Sequence, residues 1–304
     1  AAPYPAGAPA ALPGWTVEVL ETVRGERAWR QLRQANQFND PPPDGQEYLL
    51  VSLRVSATHG DASARPVQAS DFKVTGDARR RYFKASAVTP EPALEAELQG
   101  GETTQGWSVY LIEAGESDLL LMVEPLDGPL ADAPRFIALE PGAAVGVDPG
   151  LDAIDPTTLG AVGAEPAPLR RTAVTEDWEL AVLEVVRGEA AWQMVQAANQ
   201  FNAPPAAGLE YAVVQVRARL IRTTDEPVWI DSKDFFAVGG DGAPYDIPSV
   251  VDPEPALDVT LFPGGAYTGW LTVAVPAGDA GARLVFKPWL ARDEFDTRYF
   301  TLIP

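Results

Sequence analysis

Alternating apolar and polar residues are the dominant pattern along the chain, and this period of two predicts β-strands. In the clearest run, 47–55, every second residue from Leu49 to Val55 is aliphatic. The other face carries Tyr48 and Leu50 near its start, so we expect a sandwich core on one side and a helix over part of the other. A strand is also predicted for 15–23, and further strand-like runs lie near 67–75, 81–88, 93–98, 106–112, 118–124 and 134–139.

The period changes between the first two strands. In the segment 26–36, Ala28, Trp29, Leu32 and Ala35 recur at helical spacing, with arginines on the opposite face. Glu26 suits the positive end of a helix dipole, and prolines follow the end of the segment. The pattern therefore predicts a short helix of about three turns, docked by Trp29.

The whole pattern occurs twice. Residues 15–141 and 178–304 align at a constant offset of 163 without a gap, and 44 of the 127 aligned positions are identical. Asn36-Gln37-Phe38-Asn39, for example, returns as Asn199-Gln200-Phe201-Asn202. We predict an all-β chain of two tandem immunoglobulin-like β-sandwiches, each with one short inserted helix. Its parts are an N-terminal tether (1–14), sandwich repeat 1 (15–141), a linker (142–177) and sandwich repeat 2 (178–304).

Composition removes several classes of function. The 304 residues carry a net charge of −20, which disfavours nucleic acid and anionic membranes as partners. Cysteine is absent, which excludes disulfides, thiolate chemistry and cysteine-based metal sites. No apolar run reaches the 18 residues of a transmembrane helix. The proline-containing start from Ala1 is typical of a stiff tether.

The second copy carries a recognisable set of turn and strand signatures. Gly208 to Tyr211 open a long strand, Asp234-Phe235 follow, and Pro263-Gly264 precede Gly269-Trp270 in a strand that ends at Val275-Pro276. This set resembles the telokin-like, immunoprotective-extracellular-protein-like sandwich domains of bacterial lipoproteins and secreted proteins. In the first copy, Gly100 and Glu113 replace the two prolines. The resemblance implies an exported or cell-surface location and a non-catalytic role, with any lipid-bearing cysteine upstream of Ala1.

No motif indicates catalysis, a cofactor or a metal. His59, the single histidine, has Arg222 as its counterpart, and we interpret it as a solvated loop residue. The Ser-x-x-Lys match at Ser70 to Lys73 lacks its companion motifs. Asp148, Asp152 and Asp155, and the acids from Asp225 to Asp234, lack an EF-hand's spacing, and solvated loop acids are the better interpretation than calcium ligands. The repeated polar residues, Glu21, Arg24, Glu47, Arg54, Asp71, Glu91 and Arg135, are interpreted as structural ion pairs and caps.

Aromatic residues confined to the second copy are the candidate contacts for a ligand or partner. Trp229, Trp289 and Tyr267 stand where the first copy has Pro66, Leu126 and Thr104. Since the shared fold does not need them, they are better candidates for exposure, and for contact with a polysaccharide or a protein, than aromatic residues present in both copies. The alternative is that they fill copy-specific core space or the contact between the two domains.

The expected function is therefore a non-enzymatic extracellular or cell-surface binding module of unknown ligand. A structural spacer of a surface lipoprotein, with no ligand of its own, is the alternative. A carboxylate-dependent hydrolase comes third. It would require a cleft that holds paired carboxyl groups with raised pKa values.

Overall fold

A computed structural model describes residues 2–124, 126, 134–146, 148–222, 226–288 and 296–303. The chain divides into two compact units, Ala1–Gly146 (unit 1) and Val147–Pro304 (unit 2). Both consist of antiparallel strands with one short helix each, so the predicted all-β fold with its inserted helices is confirmed.

The strands of unit 1 form a four-stranded sheet in the order β1-β2-β3-β7, a three-stranded sheet β5-β8-β9 and a pair β4-β6. Its elements are β1 (Ala10–Leu12), β2 (Trp15–Arg24), α1 (Glu26–Ala35), β3 (Gln46–Ala57), β4 (Arg65–Gln68), β5 (Phe72–Thr75), β6 (Glu95–Leu98), β7 (Thr103–Glu113), β8 (Leu120–Val123) and β9 (Arg135–Ala138).

Unit 2 contains the sheets β10-β11-β12-β17 and β15-β14-β18-β19 and the pair β13-β16. Its elements are β10 (Ala173–Val174), β11 (Trp178–Arg187), α2 (Glu189–Ala198), β12 (Leu209–Leu220), β13 (Val228–Asp231), β14 (Phe235–Val238), β15 (Pro244–Tyr245), β16 (Asp258–Leu261), β17 (Ala266–Pro276), β18 (Arg283–Phe286) and β19 (Arg298–Thr301). From β2 and β11 onward, every strand and helix of unit 1 returns in unit 2 at the offset of 163.

The central strand β3 separates two apolar clusters, as its alternation predicts. Leu49 and Val51 face the sandwich core, where they join Phe72 of β5 and Leu121 of β8. Leu50 faces the other side, in a cluster with Ala28 and Leu32 of α1. The second sheet packs on one face of β3, and the helix covers part of the opposite face. The predicted position of the helix is confirmed.

A glycine immediately precedes each helix, and the backbone conformation there favours glycine. Gly25 and Gly188 have φ angles of 64° and 67°, a region that favours glycine. A Cβ atom on Gly25 would also lie 2.8 Å from Glu47 Oε2. Glu47 accepts a hydrogen bond from Arg24 Nε at 3.1 Å, and Arg187 Nε donates to Glu210 at 2.9 Å. The Arg24–Glu47 pair and its counterpart Arg187–Glu210 are thus structural ion pairs at the start of each helix, as interpreted from the sequence.

Two other repeated motifs contact each other. The backbone N–H of Trp107 donates to Pro92 at 2.9 Å, and that of Trp270 donates to Pro255 at 2.8 Å. A Cβ atom on Gly106 would lie 2.5 Å from the Ala93 backbone, so only glycine lets the segments cross this closely. One such crossing therefore occurs in each unit, between residues 90–94 and 106–107 in unit 1 and between residues 253–257 and 269–270 in unit 2.

The predicted strand at 81–88 is wrong. Tyr82 forms an isolated bridge with Val74 of β5, whereas Lys84 forms one with Tyr110 of β7. The segment passes from one sheet to the other, so it runs along neither. The run 67–75 is likewise divided, because a 3₁₀ turn at Ala69–Asp71 separates β4 from β5, which belong to different sheets.

Parts of the expected tether and linker are hydrogen-bonded to the units. In unit 1, the Tyr4 N–H donates to Phe136 at 2.8 Å, and Ala10–Leu12 pair with β2. In unit 2, Ala167 donates to Tyr299 at 2.8 Å. Apolar side chains such as Ala10 and Leu151 are buried there, which explains why these segments dock.

His59 is not the solvated residue that the sequence suggested. Only 5% of its side chain is exposed, and its ring lies edge-on to Trp15 with the centroids 5.6 Å apart. Its backbone N–H donates to Gly14 at 3.2 Å, which draws the loop over the indole ring.

Candidate functional site

The three predicted contact residues fall in three different situations. Trp229 lies on β13 and is 54% exposed. Tyr267 lies at the start of β17, opposite Ala218 of β12, and is partly buried against the core of unit 2. Trp289 lies outside the described residues. Of the two that are described, Trp229 is therefore the one that presents a large surface to solvent.

The indole ring of Trp229 has defined polar neighbours. Its Nε1–H donates to Asp258 Oδ1 on the neighbouring strand β16 at 2.7 Å. The Lys233 ammonium lies 5.4 Å from the ring centroid and 3.5 Å from Asp231 Oδ2. Asp231 is itself buried and accepts the Lys233 backbone N–H at 2.8 Å. We call Trp229, Asp231, Lys233 and Asp258 the Trp229 site.

Among the described residues, the most exposed aromatic side chains are two that the sequence analysis did not select. Phe38 and Phe201 occupy the same position in the two units, and their side chains are 82% and 85% exposed. They follow the C-terminal ends of α1 and α2, beyond the apolar stripe of each helix. That position outside the helical period was the available signal. The sequence analysis did not use this signal, because it selected aromatic residues confined to the second copy.

The flanking asparagines explain how these phenylalanines are held. Asn39 Nδ2 donates to Leu32 O at 2.8 Å and to Val88 O at 2.9 Å, and its Oδ1 accepts the Val88 N–H at 2.9 Å. Asn36 Oδ1 accepts the Phe38 N–H at 3.0 Å. All four bonds recur in unit 2 through Asn199 and Asn202. The segments 36–39 and 199–202, here called the display turns, are therefore fixed while their phenylalanines stay in solvent.

A second exposed apolar residue lies beside each display turn. Val88 is 51% exposed and Val251 is 48% exposed, and each is the backbone partner of the asparagine just described. In unit 1, Val88 also lines a cavity of about 400 Å³. The cavity's polar lining consists of Gln68, Ser70, Lys84, Thr89, Glu91 and Glu95. Ser70 and Glu95 correspond to Lys233 and Asp258, so the Trp229 site occupies the equivalent place in unit 2.

Three carboxyl groups of the described residues have clearly raised pKa values, and none lines this cavity. Burial raises the pKa of Glu116 to about 7, with Asp77 and Glu113 adding to the effect. Burial also raises the pKa of Asp252, assisted by Asp231 and opposed by hydrogen bonds with Thr272 and Ser232. Burial likewise raises the pKa of Asp296. Of the three, Asp252 is the one that Asp231 of the Trp229 site affects.

The described residues also bear on metal ligation and on membrane insertion. Within them, no three His, Cys, Asp or Glu side chains are grouped to hold a metal ion. Asp148, one of the acids considered for calcium, forms an ion pair with Arg219 at 3.1 Å, whereas Asp225 lies outside the described residues. No described helix is long and apolar enough to cross a membrane.

No family model and no curated protein matches the chain. Among solved structures, a lipoprotein candidate (ycdA) from Bacillus subtilis matches at 16% identity and a TM-score of 0.31 over 42% of this chain and 37% of its own. The match thus spans little more than a third of that protein. The yjhA protein of Bacillus subtilis matches at 15% identity and a TM-score of 0.33, over 44% of this chain and 97% of its own. An uncharacterised β-sandwich protein from Clostridium difficile matches at 10% identity and a TM-score of 0.28, over 44% and 91%.

Proposed function

We propose that the chain is a non-catalytic binding module that works outside the cell or at its surface, and that the display turns contact its partner. The observation that carries this proposal is the exposure of Phe38 and Phe201, at 82% and 85%. An exposed phenylalanine leaves apolar area in water at a cost of about 25 cal/mol per Å². Both sit on turns whose geometry is fixed by side-chain hydrogen bonds, so neither is exposed because its backbone is loose.

Preorganised aromatic side chains are efficient contact residues. A phenylalanine on a fixed turn loses little conformational entropy when a partner covers it. Two equivalent turns on one chain can also engage a repetitive partner, with a gain in avidity from the covalent connection. A spacer without a ligand would not need exposed aromatic residues at matched positions. The proposed location outside the cell or at its surface is supported by the resemblance of the turn and strand signatures to domains of secreted proteins and lipoproteins.

Site-specific photo-crosslinking in a bacterial host would test the proposal. We would place p-benzoylphenylalanine at position 38, 201 or 162 of the exported chain. Val162 is 55% exposed and lies outside the display turns, so it is the matched control. We expect the same crosslinked partner, protein or polysaccharide, from positions 38 and 201, and none of it from 162. Equal crosslinking at all three positions, or none at 38 and 201, would contradict a role for the turns.

A further inference from the structure

The Trp229 site has the composition of a receptor for a positive charge. It combines the exposed face of an indole ring with the carboxylates of Asp231 and Asp258. Aromatic faces attract ammonium and guanidinium groups through the ring quadrupole, and tryptophan does so best. The net charge of this part of the chain also favours a cation, since residues 178–304 contain 17 acidic and nine basic side chains.

The chain's own Lys233 already occupies this place. Its ammonium lies over the Trp229 ring, at 5.4 Å from the centroid, and 3.5 Å from Asp231. The Lys233 side chain is 70% exposed, so water competes for its contacts and the ion pair is weak. The lysine is therefore an internal occupant that an external cation can displace.

The ring itself is held more firmly than its occupant. The indole N–H donates to Asp258 across the β13-β16 pair at 2.7 Å, which fixes the orientation of the ring. Asp231 is 8% exposed and is anchored by its hydrogen bond from the Lys233 backbone. Displacing the Lys233 ammonium would leave the ring and the carboxylates in position for a ligand.

Unit 1 lacks this arrangement. Pro66, Gln68 and Ser70 replace Trp229, Asp231 and Lys233, which removes the ring, one carboxylate and the cation. The site is thus specific to unit 2, and the remainder of the chain provides an internal control.

We infer that the Trp229 site binds a lysine or arginine side chain of a partner, and that Lys233 competes with that side chain for the ring and for Asp231. The inference rests on the proposed binding function and names the partner's chemistry at one site. It predicts that removal of the Lys233 ammonium strengthens binding of the partner, whereas removal of a contact residue weakens it.

In the test, the full chain is titrated with a tetralysine peptide that is acetylated only at its N-terminus. Binding is followed by tryptophan fluorescence and by isothermal titration calorimetry. Trp229→Ala should abolish specific binding. Lys233→Met should raise the affinity about two- to fivefold, as expected for removal of an exposed cation–π competitor. Lys84→Met removes the same charge from unit 1, where the Lys84 ammonium donates to the Ala85 carbonyl at 3.5 Å, and controls for the change in net charge. Trp229→Phe keeps a ring and should retain part of the affinity.

The inference is overturned if Lys233→Met gains no more affinity than Lys84→Met, or if Trp229→Ala leaves binding unchanged. It is also overturned if a neutral polysaccharide such as dextran, rather than the cationic peptide, binds in a Trp229-dependent manner. Failure here would be distinguishable from failure of the proposed function. Crosslinking from positions 38 and 201 does not depend on Trp229.

Discussion

Glu116 provides a test in which stability and pH are linked through one buried carboxyl group. The residue is 5% exposed and lies in the turn after β7, where its carboxyl group accepts a hydrogen bond from the Tyr82 hydroxyl. It also lies against the backbone of Gly76, where an added Cβ would be 2.5 Å from Glu116 Oε1. Burial raises its pKa from 4.5 to about 7, so the folded unit holds the proton more tightly than the unfolded chain does.

The sign and size of the effect follow from that pKa. Stabilisation by the bound proton is complete below about pH 4.5 and is lost as the pH rises through about 7. The full difference corresponds to about 3 kcal/mol. Water and the Tyr82 hydroxyl group can relax around a carboxylate in a turn, so we expect about 1 to 2 kcal/mol in practice. Glu116→Gln, which mimics the protonated acid, should stabilise unit 1 by this amount at pH 8 and change little at pH 5.

The repeat supplies a control with the opposite sign. Asp279 stands at the position equivalent to Glu116, and it accepts backbone N–H groups from Gly240 and Gly281, both at 2.7 Å. These bonds hold the pKa of Asp279 below its usual value. Its stabilisation is present above about pH 4 and is lost only at lower pH. Asp279→Asn should therefore destabilise unit 2 at pH 8 and approach the wild type at acidic pH.

Hydrogen–deuterium exchange of the full chain can report each unit separately. Peptides from β3 report unit 1, and peptides from β12 report unit 2. Variant and wild type are compared at the same pH, so the intrinsic exchange rates cancel. We expect slower exchange in β3 for Glu116→Gln at pH 8 alone, and faster exchange in β12 for Asp279→Asn. An effect of Glu116→Gln that is equal at pH 5 and pH 8 would refute the ionisation argument, because a packing change does not depend on pH.

Two further predictions concern the fixed backbone features. Gly106→Ala should lower the stability of the chain by about 2 kcal/mol or more, because its Cβ would lie 2.5 Å from the Ala93 backbone. The measurement is a thermal melt, and the control is Gly60→Ala, where the added Cβ meets nothing within 4 Å. Asn39→Ala should cost about 1 to 3 kcal/mol through the lost bonds of the display turn, whereas Phe38→Ser should cost less than about 0.5 kcal/mol. Comparable losses for both variants in urea unfolding would mean that Phe38 contributes to the fold.

The parts of the fold that could be predicted are those that local periodicity determines. The alternation in β3 and the helical spacing in α1 reflect which face of each element is buried, and both faces were assigned correctly. The segment 81–88 has the composition of a strand, but its partners are single residues of two different sheets. Such pairing depends on contacts distant in sequence, which no local pattern carries.

The candidate site was predicted only in part, for a related reason. Trp229 was selected because the shared fold does not require it, and it is exposed. The same criterion passed over Phe38, since it occurs in both copies. His59 was assigned to solvent by residue type, yet it packs on Trp15. Exposure is decided by what the rest of the chain places around a residue, and neither repetition nor residue type specifies that.

The repeated residues divide into those with an internal contact and those without one. Arg24 and Glu47 hold each other, Gly106 allows the crossing of two segments, and Asn39 binds the ends of a turn. Each of these has a structural reason to occur twice. The Phe38 side chain has none, because it is 82% exposed and the described hydrogen bond of that residue is made by its backbone N–H. A residue that is repeated and held in place, yet contributes little buried area to the fold, is better explained by contacts with another molecule.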